Sequence, residues 1–369
     1  MIDEEIGKIA NILVNYSLQI RKHDLFQIVG NHLSAPLIRE VYKQGLKAGA
    51  HPYVLIEIDD LKGLFFKHSS TKQLQYVSPI DKFEMECITA KLYIISPENT
   101  RNLSGVDPVK QAVASAARRA IMERFWTRSL KKEFRWCETQ YPTQAAAQDA
   151  EMSLADYETF VFNAAHVNAK DPLAYWNSVE REQEKLRRFL EAKKKIHVLA
   201  KDTDLTISVS DRKWINCAGR QNFPDGEVAT GPIENSAEGY IRFSFPSMYR
   251  SREIEDVRLQ FKKGVVIKAT ALKGESFLQE MLKVDAGARR LGEFSFGTNY
   301  GIKQYTRNML FDEKIGGTIH LAVGHGIPQT GSKNKSSIHW DMVCDLRRYG
   351  EIYADNQLIY KNGKFLSCF

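Results

Sequence analysis

The apolar pattern of this chain changes once, near residue 195, and that change limits it to an architecture of two unlike parts. Ahead of it, apolar residues recur at helical spacing, broken by short apolar runs. Residues 5–20 place Ile6, Ile9, Ile12, Leu13 and Tyr16 on one helical face. A short run over 25–29 ends at Gly30, and helical LIREVYKQGLKAG follows, with Gly49 as its C-cap. Strand-like PYVLIEI and KLYIIS come next, an order of strand, helix and strand that predicts a mainly parallel sheet. Residues 107–196 read as mainly helical, with Asp107-Pro108 and Asp171-Pro172 as helix starts. Past the change, IHVLA, DLTISVS and WINCAG are short and β-like. Strands then dominate, apart from a helix expected over 275–291. The end, EIYADNQLIYKNGKF, alternates around turns at Asp355-Asn356 and Asn362-Gly363. The expected fold class is thus α/β: an N-terminal α/β domain over 1–195 and a C-terminal β-rich α+β domain over 196–369.

Composition narrows the function classes. Of the 369 residues 43% are hydrophobic and 26% charged, which suits a soluble globular chain with a sizeable core. The five cysteines, Cys87, Cys137, Cys217, Cys344 and Cys368, have neither zinc-finger nor thioredoxin spacing, and read as thiols of a reducing compartment. The start, MIDEEIGKIA, lacks an apolar signal core, and no stretch approaches the roughly 20 apolar residues of a membrane span. A cytoplasmic protein without a membrane partner is expected. The net charge of +7 raises nucleic acid as a partner. However, KLRRFLEAKKK over 185–195 sets Leu186, Phe189 and Leu190 on one side, the stripe of an amphipathic helix with a solvated basic face. No nucleic acid is expected. No GxGxxG or GxxxxGK[ST] follows a strand, so no nucleotide fingerprint is present.

Metal-binding residue types gather in the C-terminal half. His320, His325 and His339 fall within twenty residues. GGTIHLAVGHG sets His320 in a β-like run between glycines. SSIHWDMVCDL sets His339 and Asp341 two apart, so a strand would aim both at one ion. NFPDGEVATGP places Glu227 after a turn, and RRLGEFSFGTN places Glu293 at the end of the expected helix. Acidic residues framed by glycine and apolar residues are costly to bury unless paired or bound to metal. Each piece alone reads equally as a salt bridge or packing. Together, three carboxylates and two neutral imidazoles, with one hydroxide, balance two divalent cations, the donor set of two-metal hydrolases.

The C-terminal half resembles the aminopeptidase T family of dinuclear metallo-aminopeptidases. The resemblance rests on NFPDGEV, GYIRFSFP, REIEDVRL, DAGARRLGEFSFGTNYGI, NMLFDEKIGGTIHLAVG and TGSKNKSSIHWDMVCDL, which span about residues 214–350. It implies Glu227, Glu293, His320, His339 and Asp341 as ligands to two divalent ions, with zinc or cobalt ahead of manganese or magnesium. It also implies peptide substrates with a free N-terminus, and a homodimer whose sites face an inner cavity. The family's GxxYP tyrosine is replaced here by Ile327 in GHGIPQTG. His325 is either its substitute at the reacting oxygen or an ordinary loop residue. Asp225, Glu234, Glu255 and Glu227 itself are candidate general bases. The alternatives are a non-catalytic relative or a two-metal hydrolase of different specificity, such as a phosphoesterase.

Overall fold

The computed structural model describes residues 2–250 and 252–366; Cys368 lies outside them. The chain forms two compact units, Met1–Leu173 with Gly219–Phe223, and Ala174–Ala218 with Pro224–Phe369. The sequence reading put the boundary near 195. The units instead divide between Leu173 and Ala174, at the start of the helix Pro172–Glu191. The reason is packing: Leu186 and Leu190 of that helix are buried in one apolar cluster with Ile196, Val198, Leu205 and Ile207.

The first unit is built on a five-stranded sheet, in the order His51–Ile56, Leu25–Gly30, Ala90–Ile95, Arg135–Gln140 and Asn222–Phe223. Every pairing in it is parallel. Helices supply the crossovers, as the strand–helix order required. Their boundaries follow local chemistry. Asp107 caps its helix by accepting from Val109 N at 2.8 Å, with Pro108 in the first turn.

The second unit is β-rich. It holds an eight-stranded sheet, a two-stranded ribbon and a five-stranded sheet. The last is antiparallel and runs His339–Asp345, Thr318–Gly324, Leu291–Gly297, Glu227–Thr230, Ile215–Cys217. Its strands alternate, with one break at Gly292. Val228, Phe294, Phe296, Ile319, Leu321, Trp340, Met342 and Cys344 face one way, into the main core. The intervening residues put Glu227, Glu293, His320, His339 and Asp341 on the opposite face, since side chains alternate along a strand.

The helix expected over 275–291 is shorter, and Glu293 is not at its end. The α-helix covers Glu275–Met281, and Leu291–Gly297 is a strand. Asp285 intervenes, accepting from Gly287 N at 3.0 Å and Ala288 N at 2.9 Å, a local turn that competes with helix. Gly292 then permits a bulge beside the next strand, where an added Cβ would lie 2.2 Å from His325 O. The closing segment forms the expected hairpins. Asp355-Asn356 (φ 48° and 68°) and Asn362-Gly363 (φ 49° and 80°) both have the positive φ pair of type I′ turns.

Candidate metal centre

Four neighbouring strands deliver the site. In the ladder Ser295 lies opposite His320, Asp341 opposite Ala322, and His339 opposite Gly324. Glu227 opens its strand after the Pro224-Asp225-Gly226 turn, where Gly226 adopts φ 133° against Asn299. Trp340 fixes the last strand from behind: its Nε1 donates to Ser247 Oγ (2.8 Å), which donates to the Asp341 carbonyl (2.9 Å).

The five residues expected from the sequence are brought together. They form two overlapping groups, Glu227–Glu293–His320 and Glu293–His339–Asp341, each with ligand atoms within 4.8 Å of one another. Glu293 belongs to both, one oxygen to each histidine: Oε1 is 3.4 Å from His320 Nε2 and Oε2 is 3.3 Å from His339 Nε2. His320 Nε2 is also 3.3 Å from Glu227 Oε2, and His339 Nε2 is 3.3 Å from Asp341 Oδ2.

The two imidazoles are oriented the same way. His320 Nδ1 lies 3.0 Å from the Glu313 carbonyl, and His339 Nδ1 lies 2.7 Å from the His325 carbonyl. A carbonyl only accepts, so each Nδ1 carries a proton and each ring presents Nε2 to the carboxylate oxygens, where it holds either a second proton or, as a neutral ring, an ion. Nε2 and carboxylate oxygens at that spacing are held together by positive charge, either a proton on Nε2 or an ion between them. Two atoms each about 2.0–2.1 Å from one tetrahedral ion are about 3.4 Å apart, close to the observed spacing. Asp341 Oδ1 is buried with no hydrogen-bond partner, as a further ligand atom would be. The residues therefore fit two divalent ions bound through nitrogen and oxygen.

The electrostatics agree. Burial pulls the His320 imidazole down, but its hydrogen bond to Glu293 and the charges of Glu227, Glu293 and Glu313 push it up to about 10. Burial likewise opposes His339, and Asp341 and Glu293 raise it to about 12. Glu293, in turn, is held well below the usual carboxylate range by both histidines despite its burial. The pocket is built to hold positive charge between these groups.

Two residues escaped the sequence reading. Glu313 joins a third group with His320 and Asp341, and burial raises its carboxyl to about 7. Lys314 is fully buried, and its Nζ donates to Glu227 Oε1 at 2.9 Å and to Glu313. Both stand in FDEKIGG, just before His320. The available signal was a charged pair entering a buried Gly-Gly strand. Ser295 also contributes, donating from Oγ to Glu227 Oε2 at 3.0 Å.

Other candidates lie differently. The His325 side chain is exposed and outside all three groups; its backbone carbonyl is what meets the site, through His339. Ile327 is half-buried in the same loop. Glu234 is engaged by Arg212 at 2.8 Å and by Lys333 N, and Glu255 by Lys273 at 2.9 Å. Asp225 is buried 3.8 Å from Lys314. No helix among the described residues is long and apolar enough to cross a membrane.

The chain is similar along its whole length to known proteins. It is 25% identical over 361 residues to Aminopeptidase 2 of Geobacillus stearothermophilus, covering 91% of this chain and 87% of that one. It is 34% identical over 144 residues to Aminopeptidase T of Thermus aquaticus, 36% of this chain and 35% of the other. The solved structure of wild-type AmpT from Thermus thermophilus has the same fold, with a TM-score of 0.86 at 20% identity, covering 99% of this chain and 100% of that one. The description of one family, thermophilic metalloprotease (M29), matches residues 2–365, nearly the whole chain and every residue of the site, and the chain belongs to that family.

Proposed function

We propose that this protein is a two-metal aminopeptidase that releases N-terminal residues from peptides. The observation that carries the reading is Glu293, which turns one oxygen to each of two ligand groups and would be shared by two ions if both were bound. The M29 membership and the aminopeptidase relatives support it. When bound, a pair of divalent ions polarises the scissile carbonyl and acidifies a water. Zinc or cobalt suits the mixed imidazole and carboxylate donors best, ahead of manganese or magnesium.

The chain's own residues then do the following. His320 and His339 hold their lone pairs inward, because backbone carbonyls fix their tautomers. Glu227 and Asp341 close the two ends of the site. Glu313 is the carboxylate outside both bridged groups, beside His320 and Asp341, and we assign it as general base. It takes a proton from the attacking water at its carboxylate and returns it to the departing amine. The substrate's free α-ammonium is attracted by a carboxylate of the site, which favours cleavage at the first residue.

The protein is proposed to be a cytoplasmic homodimer. Cys87, Cys217 and Cys344 are free, as suits a reducing compartment. The first unit exposes a concentration of large apolar side chains, among them Leu55, Ile56, Ile58, Leu61, Ile80 and Phe83, of the kind an interface covers.

The deciding experiment pairs metal content by mass spectrometry with hydrolysis of Leu-, Ala-, Arg- and Phe-aminoacyl amides, with and without chelator. Chelator-sensitive release is expected, and none from N-acetylated substrates. Two bound ions without turnover of any amide would mark a non-catalytic relative. Turnover of phosphate esters alone would mark a different hydrolase.

A further inference from the structure

A buried ammonium beside a site for dications is a costly arrangement. Like charges a few ångströms apart repel, and a lysine out of water is expensive unless paired. Lys314 is nevertheless fully buried, in the turn between the short helix Met309–Asp312 and the strand carrying His320. Its backbone is fixed as well: Lys314 N donates to the Phe311 carbonyl at 3.0 Å, and its own carbonyl accepts from Asn299 N at 3.0 Å. The ammonium is thus held in place by the fold.

Its contacts divide the carboxylates of the site into two classes. Glu293 has an imidazole facing each oxygen. Glu227 does not: Oε1 accepts from Lys314 at 2.9 Å, while Oε2 faces His320 and Ser295. Glu227 therefore has one oxygen to offer an ion. Glu313 is drawn to the same ammonium and away from the bridging carboxylate. Charge counting gives the ammonium a second purpose. The cluster holds Asp225, Glu227, Glu293, Glu313 and Asp341, five carboxylates when all are ionised. Two dications leave one negative charge over, which Lys314 cancels as long as the bound water keeps its proton.

We infer that Lys314 is a positioning residue, a built-in third cation that restricts Glu227 to one-oxygen ligation and keeps Glu313 outside the metal shell. Without it both carboxylates are free to close on an ion. The expectation is therefore inverted relative to an ordinary structural defect: removing the charge tightens metal binding while it slows turnover.

This inference rests on the two-ion reading, and its test separates the two. Wild-type protein is first loaded with zinc and its stoichiometry measured; fewer than two ions per chain would overturn the two-ion reading itself. Given two ions, zinc affinity is measured by competition with a chromophoric chelator for wild type, Lys314→Met and Lys314→Gln, alongside kcat on a Leu amide. Lys314→Met should bind at least one zinc about tenfold or more tightly, since a neighbouring positive charge has gone, and lose about 100-fold in kcat. Lys314→Gln keeps a donor to Glu227 without the charge. It should share the tighter binding and recover part of kcat. Circular dichroism and melting temperature identify a variant that has failed to fold, and Lys314→Gln, the more conservative change, then decides. The inference is overturned if zinc affinity falls together with kcat in a folded variant, or if both stay within about twofold of wild type.

Discussion

His339 Nδ1 donates to the backbone carbonyl of His325 across 2.7 Å, so a loop residue whose side chain is exposed orients a ring of the candidate metal centre. That loop, between the strands of His320 and His339, is in turn pinned along its length. Arg212 donates to the Gly331 carbonyl, Asn334 Nδ2 to the Gly287 carbonyl at 3.0 Å, and Ser336 and Ser337 to Asp285. The geometry of the site is thus maintained by residues outside it.

Loss of the shared carboxylate should be worse than loss of a terminal ligand. Glu293→Gln should lower bound metal from two ions per chain toward none. His339→Ala and Glu227→Gln should each retain about one, since each residue belongs to a single bridged group. All three should lose most peptidase activity. Metal analysis after exhaustive dialysis checks this; retention of two ions by Glu293→Gln would refute the bridging role.

Asp285 gives a pH-dependent test of the loop anchor. Burial opposes its ionisation, but bonds from Ser337, Ser336 and Ala288 outweigh that and hold it down at about 2. Its folded value lies below the unfolded value of 3.8, so its contribution is present above about pH 4 and fades as pH falls toward 2. Asp285→Asn should lower the melting temperature at pH 7. The gap to wild type should narrow between pH 4 and 2. A gap independent of pH would show that the charge is not what anchors the loop.

Ile327 offers a gain of function. The family resemblance places a tyrosine there, and Ile327 is half-buried in the loop that carries the His325 carbonyl. If that hydroxyl serves the oxyanion, Ile327→Tyr should raise kcat toward the roughly 100-fold typical of one donor, with metal occupancy unchanged. Steady-state kinetics on a Leu amide decides. No change in kcat for either Ile327→Tyr or His325→Ala would remove both side chains from the chemistry.

The apolar surface of the first unit predicts the assembly state. Phe83 is 71% exposed and Ile80 75%. Replacing Phe83 with Asp should convert a dimer to a monomer in light scattering at micromolar concentration, without altering the melting of the second unit. A wild-type protein that is already monomeric there would exclude this interface.

By itself the sequence determined the fold class and pointed to five residues that the fold brings together. Both kinds of pattern are local: apolar period separates helix from strand, and His339 and Asp341, two apart on a strand, must share a face. Asp107-Pro108 and the two hairpin turns were legible for the same reason, since a few adjacent residues fix the backbone there. Tertiary structure decided what depends on distant partners. The helix Pro172–Glu191 joined the second unit because of the cluster it packs into, which its own stripe does not reveal. Glu293 became a strand residue because the helix ends at Met281, the chain turns at Asp285, and 291–297 pair with the His320 strand. Lys314 and Glu313 entered the site only through contact with Glu227, 87 positions from Lys314 in sequence, and with His320. A charged pair in sequence reads as surface until folding shows that the lysine is buried against a carboxylate it has to neutralise.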